Sequence, residues 1–279
     1  LSWQKSAPTL AHSLLLSLAR DLAPPPATVA STDWRAWLAR HFPAYTTAPM
    51  PEGGRHARLW GWFAALDQSR PRPAAHVWPR GGAKSTTAEL ATAWTGERQA
   101  RRFGLYVSRT QAMADVHLQA IAALLERLGI DRAVNKYNQS KGWTQQRLRA
   151  ANGFNLVSFG MDAGLRGLKL DQYRPDLIVF DDIDDRHDSP AATEKKITTI
   201  TESILPAGAP NVAIVFIQNR IIDTGIAALL ADGGADFLHD REPVVQEPAV
   251  RDLAYERRAR ADGTAYYAIT GGTPTWEGQ

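Results

Sequence analysis

Two short stretches hold residue types that could handle a phosphorylated nucleotide: Pro79-Arg80-Gly81-Gly82-Ala83-Lys84-Ser85-Thr86, and Leu177-Ile178-Val179-Phe180-Asp181-Asp182. A glycine-rich loop turning from a strand into a helix aims backbone N–H groups and the helix N-terminus at an anion, and a lysine there reaches the β- and γ-phosphates. Lys84 fits that role, and the Ser85 hydroxyl is placed for Mg²⁺. An aspartate closing a buried strand completes the metal's surroundings, and a carboxylate directly after it orients or deprotonates a water. Asp181 takes the first role and Asp182 the second. Alone, the loop also fits a turn followed by an exposed lysine. With the acidic strand in the same chain, the pair points to ATP hydrolysis.

The loop departs from the G-x-x-x-x-G-K-[ST] pattern, because Trp78 and Ala83 occupy its two glycine positions. Gly81 and Gly82 still free the turn, alanine is the smallest replacement for a glycine packed on a phosphate, and Arg80 adds a charge. After Asp182, the run Ile183-Asp184-Asp185-Arg186-His187-Asp188 is dense in acid. A two-metal nuclease centre needs carboxylates converging from separated elements, so the run fits better as a solvated turn whose aspartates cap the next helix.

The elements needed to position these residues are legible from periodicity. Ala74–Trp78 reads as a strand entering the loop, and Lys84–Trp94 as a helix leaving it. Phe103–Val107 and Thr110–Leu128 repeat the strand and helix pattern, with Ala112, Val116, Ala120 and Leu124 at helical spacing. Asn152-Gly153 signals a tight hairpin between Arg147–Arg149 and Phe154–Val157. Leu177–Phe180, a helix over Pro190–Ile204, and Val212–Ile217 follow. Continuous apolar strands alternating with helices predict an α/β fold whose central sheet is mostly parallel and covered on both faces. Upstream, helical patterns over Thr9–Leu22 and Thr32–His41, separated by proline-rich stretches, predict a helical N-terminal subdomain, and a further helix is expected over Arg55–Leu66.

At 279 residues and 44% hydrophobic, the chain can bury a full core. No apolar run approaches the ~18 residues that span a bilayer, and the N-terminal residues lack a signal-peptide pattern, so neither membrane insertion nor export is expected. The absence of cysteine excludes disulfides, thiolate metal sites and thiol nucleophiles. The histidines lack metal-ligand spacing. A net charge of +3 is modest, although the arginines at 98–102, 147–149 and 257–260 could track phosphates.

From about Phe42 to the C-terminus, the chain resembles the large terminase subunit of tailed double-stranded DNA bacteriophages, the ATPase of genome packaging. In that family the phosphate loop commonly reads Pro-Arg-Gly-x-x-Lys-Ser/Thr. Asn152-Gly153, Gly164-Leu165-Arg166-Gly167 and Arg174-Pro175-Asp176 are similar to the family's ordered series. Gln218-Asn219-Arg220 is similar to its coupling motif. The resemblance implies a P-loop NTPase of the additional-strand, RecA-like class, with ATP and Mg²⁺ as cofactors. It implies that Arg80 and Gly81, Gly82, Ala83, Lys84, Ser85 and Thr86 surround the phosphates. Ser85 and Asp181 would hold Mg²⁺, and Asp182 would position the water. Arg166 would be an arginine finger acting on a neighbouring subunit. Asn219 would couple hydrolysis to motion, with Gln218 a close rival and Arg220 beside them. Many relatives carry Glu where this chain has the shorter Asp182, which makes Glu194 a second candidate for the water.

The same resemblance implies double-stranded DNA, a portal protein and a small terminase subunit as partners. It also implies a homo-oligomeric ring, pentameric in the family, working in the host cytoplasm docked on a procapsid. Residues 1–54 are expected as the helical N-terminal segment, 55–265 as the ATPase core, and 266–279 as the start of a linker towards a nuclease domain, so DNA cleavage is not expected of this chain. A helicase or other nucleic-acid translocase shares the loop and acidic strand. A nucleotide-gated binding or assembly module, which holds ATP without turnover, is the alternative outside enzymology.

Overall fold

The apolar runs become strands buried on both faces. In the computed structural model, which describes residues 32–163, 173–238 and 240–275, strands β1 (Ala74–Val77), β2 (Phe103–Ser108), β5 (Leu177–Asp181) and β6 (Ala213–Gln218) are buried at every position. With β3 (Arg147–Arg149), β4 (Asn155–Gly160) and β7 (Val245–Gln246) they form one sheet in the order β3-β4-β2-β5-β6-β1-β7. All neighbours run parallel except β3, the edge strand that returns on β4 through the expected hairpin, where Gly153 takes a φ of 92°. Successive side chains of a strand alternate between faces. Leu177 and Val179 therefore enter one hydrophobic layer while Ile178 and Phe180 enter the other. One strand, β6, lies between β1 and the acidic strand β5. That is the additional-strand arrangement of P-loop NTPases.

Helices α1 (Trp34–His41), α2 (Arg55–Ala64), α3 (Lys84–Glu97) and α4 (Gln111–Arg127) pack on the first face. Their contact is rich in tryptophan: Trp34 stacks on Trp60 at 5.3 Å, and Trp37, Trp60 and Trp94 lie 5.6–6.0 Å from one another. α5 (Pro190–Thr199) runs through a π-turn at Ile200–Ile204 into a final turn, Leu205–Ala207, and with α6 (Ile226–Asp232) covers the second face. The buried stripe of α4 differs from the one expected. Ala112 and Val116 face solvent, while Ala114, Leu118, Ile121, Ala122 and Leu125 point inward. The helix is apolar on two sides, and the larger Leu118, Ile121 and Leu125 fill the layer against the sheet.

The described residues lie in a compact unit spanning Ser31–Gln279. The expected boundary at residue 54 falls inside it, because Trp37, Leu38 and Phe42 share the core of α2 and α3. Residues expected to begin a linker belong instead to a two-stranded hairpin, β8 (Val250–Ala259) with β9 (Ala265–Pro274), turned at Gly263. The Asp262-Gly263 turn signal was present in the sequence. The expected helix at Thr9–Leu22 lies outside the described residues. No helix among the described residues is long and apolar enough to cross a membrane.

At the amino ends of the strands, a polar staple aligns β2 with β5. The Asp176 carboxylate accepts from the backbone N–H of Arg102 and Phe103 at 2.8–3.1 Å. The fully buried Arg101 guanidinium donates to the carbonyls of Ser69, Asp176 and Asn211. Asp176→Ala leaves the Arg102 and Phe103 N–H groups without their acceptor and takes away the negative charge beside the buried Arg101 guanidinium, at a cost of ~2–5 kcal/mol. Thermal unfolding should show a fall of several degrees in Tm, and an unchanged Tm would show that the staple is dispensable.

Candidate functional site

The glycine-rich loop after β1 is shaped by two left-handed residues. Trp78, just after β1, is held by its N–H to the Gln218 carbonyl at 2.9 Å, and the chain then turns through Gly81 (φ 76°) and Ala83 (φ 54°, ψ 27°) into α3. A glycine is usual at the position of Ala83 because a Cβ costs ~1–2 kcal/mol in that conformation. Alanine adopts it here, and no side chain caps the helix. The N–H groups of the first turn of α3 are thus available to an anion. From behind, His56 on α2 meets the Gly82 carbonyl through Nε2 at 2.9 Å. A Cβ at Gly82 would lie 3.3 Å from the Pro79 carbonyl oxygen, so a larger residue would crowd the turn.

The sheet brings the acidic strand end to this loop. β6 pairs with β5 through Asp181↔Ile217 and with β1 through Val77↔Gln218, so both motifs emerge at the same carboxyl edge. Across that edge, Lys84 Nζ lies 2.8 Å from Asp182 Oδ2, and Ser85 Oγ donates to Asp181 Oδ1 at 3.1 Å. Asp182 has a φ of 47°, a conformation Asp tolerates better than most residues, and its N–H is held by the Ile217 carbonyl. Asp181 is fully buried.

Three residues around Asp181 escaped sequence reasoning. Tyr106 on β2 donates its hydroxyl to Asp181 Oδ2 at 2.8 Å. His117 on α4 places Nε2 at 3.8 Å from the same oxygen, and its Nδ1 meets Glu89 on α3 at 2.6 Å. The carboxylate is therefore oriented by one oxygen and presents the other to Ser85. Burial pushes the Asp181 carboxyl up to about 6, partly offset by His117 and Lys84. Burial alone would lower His117, but its Glu89 hydrogen bond and the Asp181 and Glu89 charges raise it above its ordinary value. Burial and the Asp181 charge push the Tyr106 phenol well up, so it remains a donor. These residues come from three elements far apart in sequence, and no local spacing connects them.

The remaining expected residues take varied positions. Gln218 is fully buried and bridges the end of β5, donating to the Phe180 carbonyl and accepting from the Ile183 N–H, both at 3.1 Å. Asn219 is half-buried at the same edge, and Arg220 is ion-paired with Asp223 and Asp232. Arg80 is exposed on the loop, and Thr86 faces a cavity. Glu194 is exposed on α5, with no hydrogen bond to Lys84, Ser85 or Asp181. Arg166 lies outside the described residues. In the acidic turn, Asp184 is buried and caps α6, not the next helix, through the N–H groups of Ile226 and Ala227. Asp185 pairs with Arg109 and Asp188 with Lys196.

Among the described residues, no group of three or more His, Cys, Asp or Glu could enclose a metal. The adjacent Ser85 and Asp181 oxygens do fit a hard cation such as Mg²⁺, which keeps waters and takes most ligands from phosphate. Beside the loop opens a cavity of about 810 Å³, lined by Tyr45, Met50, Trp60, Thr86, Thr87 and Pro274 among others.

Because Asp181 titrates higher folded than at its ordinary value of 3.8, it favours folding below about pH 4, and that contribution is lost as pH rises towards 6. At pH 7.5 the buried charge costs about 3 kcal/mol. Asp181→Asn should therefore raise Tm at pH 7.5 by several degrees in scanning calorimetry. A lowered Tm would show that the charge itself holds the site together.

No protein-family model matches the chain, and no curated protein matches it. Among solved structures it is similar to the large terminase ATPase domain of Thermus phage P74-26, at 12% sequence identity and a TM-score of 0.41. The match covers 61% of this chain and 68% of that one.

Proposed function

We propose that the chain is an Mg²⁺-dependent ATPase and, following the resemblance of its motifs, the motor of a phage large terminase that moves double-stranded DNA into a procapsid. The observation that carries the ATPase reading is the meeting of Lys84 and Ser85 with Asp182 and Asp181 at 2.8 and 3.1 Å across the carboxyl edge of the sheet. In this reading the triphosphate sits on the first turn of α3, held by its N–H groups and Lys84, with Arg80 at the open side. The nucleoside enters the cavity beside Thr86 and Thr87. Ser85 and Asp181 would hold Mg²⁺, which would supply positive charge against the negative charge developing on the phosphate oxygens. Tyr106, His117 and Glu89 fix the Asp181 carboxylate for that task.

Lys84 gains an anionic partner in the γ-phosphate, which frees Asp182 to orient a water for attack on phosphorus. As the water oxygen bonds to the γ-phosphorus, the bond to the β–γ bridging oxygen breaks, ADP leaves with that oxygen, and the water's proton passes to Asp182. Asn219, just after the end of β6, couples hydrolysis to motion, with Gln218, tied to both sides of Asp181 through Phe180 and Ile183, its close rival. Arg166 acts on the site of a neighbouring subunit in a homo-oligomeric ring, and the portal protein and small terminase subunit are the partners of that ring.

Lys84→Ala should lower ATP turnover by roughly 10²–10³-fold, the scale for losing one preorganised transition-state contact. Full phosphate release in that variant would show that the loop holds no triphosphate. Mixing Arg166→Ala with Asp182→Ala subunits should restore part of the hydrolysis that neither has alone. An assembled ring that stays inactive would place Arg166 in its own subunit's site or in the scaffold.

A further inference from the structure

We propose that residues 131–149 form a basic finger that grips the phosphate backbone of a nucleic-acid duplex. From Arg132 to Met161 the chain contains no Asp or Glu, and Arg132, Lys136, Lys141, Arg147 and Arg149 fall in that stretch. Arg132, Lys136, Lys141 and Arg147 are exposed and have no ion-pair partner among the described residues. Several surface cations elsewhere are ion-paired, among them Arg72 with Asp240 and Glu242, Arg109 with Asp185, and Arg220 with Asp223 and Asp232. With Asp131 the one acid within 131–149, Arg132, Lys136, Lys141 and Arg147 make a patch of positive charge, which attracts a polyanion.

The backbone beneath these cations is built to present them. Residues 131–134 add to the edge of the sheet: the Ala133 N–H donates to the Arg149 carbonyl and the Ala151 N–H to the Asp131 carbonyl, both at 2.7 Å. The Val134↔Ser140 bridge closes the tip. Inside the tip, Asn135 Oδ1 accepts from the Tyr137 and Gln139 N–H groups, and Asn135 Nδ2 donates to Gln139 Oε1. Lys136 lies with Nζ 4.8 Å from the ring of Tyr137, itself 69% exposed. A turn ordered by its own hydrogen bonds loses little entropy on binding. Lysines, a tyrosine hydroxyl and the neutral amides of Gln139, Gln145 and Gln146 are donors of the kind that contact phosphate and sugar without reading sequence.

The finger also points the right way. Arg132 pairs antiparallel with Ala150, and β3 runs antiparallel to β4, so 131–134 advances in the direction of the parallel strands. The tip therefore projects towards the same edge as Lys84 and Asp181, on a segment beyond β3 and six positions from β1, about 29 Å at ~4.8 Å per strand. A duplex lying along that edge would touch the finger without covering the nucleotide loop. The choice of duplex DNA as the polyanion rests on the motor reading, whereas the finger's charge and geometry do not.

The test is fluorescence anisotropy of a 30-base-pair DNA duplex titrated with the full chain and with Lys136→Ala/Lys141→Ala, from 50 to 200 mM KCl. Both substitutions are on an exposed tip. The variant should bind at least tenfold more weakly, and its slope of log affinity against log salt should be shallower by about two, with ATP binding unchanged. Equal affinity and slope in the two proteins would overturn the proposal. So would absence of duplex binding by the unaltered chain at 50 mM KCl, or binding to vesicles containing 30% phosphatidylserine that depends on the two lysines while duplex binding does not. A chain that grips the duplex through the finger yet releases no phosphate from ATP would refute the motor reading alone. Turnover with undiminished duplex binding in the variant would refute the finger alone.

Discussion

The buried carboxylate of Asp181 is the constraint on which the site depends. A charge taken fully out of water is tolerated only when its oxygens are matched, and here the match comes from Tyr106 on β2, Ser85 on α3 and His117 on α4. Each partner is carried by a different element, so the carboxylate ties the phosphate loop, its helix and the next strand and helix into one rigid corner. His117 in turn leans on Glu89, which returns the chain of contacts to α3. The arrangement is costly to folding at neutral pH, since burial holds the group near 6. Sites that hold a charge ready for a cation commonly trade stability for that readiness.

That corner is possible because of where β6 lies. Inserted between β1 and β5, it spaces the lysine loop from the acidic strand by two strand separations, ~9.5 Å. Side chains of the length of Lys84 and Asp182 bridge that gap, with Ser85 and Asp181 meeting beneath them. Gln218, the last residue of β6, fills the space between with an amide that satisfies both a carbonyl and an N–H of the neighbouring strand. A side chain that both donates and accepts at that point links any movement of β5 to β6. The opposite end of the sheet is held by Asp176 and Arg101, so the strands are clamped there while Lys84, Ser85, Asp181 and Asp182 meet at their carboxyl ends.

Much of this was legible in the residues. Val, Ile, Leu and Phe runs without alternation announced doubly covered parallel strands, and Asn152-Gly153 announced the hairpin of β3 and β4. The structure adds that Ala83 occupies the left-handed position where glycine is usual. Periodicity was least reliable on α4, which has apolar residues on both sides and therefore left the choice of buried face to packing. It also missed α6, whose N-terminus depends on the buried Asp184, forty-two positions earlier in the chain.

By itself the sequence determined the class of fold and the positions of the glycine-rich loop and the acidic strand end. These follow from local periodicity and from turn chemistry, which act over a few residues. Only the tertiary structure decided the strand order that makes Lys84 and Asp182 neighbours, the Tyr106–His117–Glu89 support of Asp181, and the alignment of the basic finger with the same edge. Each of those depends on residues brought together by sheet pairing and helix packing across tens of positions, and such distances leave no trace in spacing along the chain.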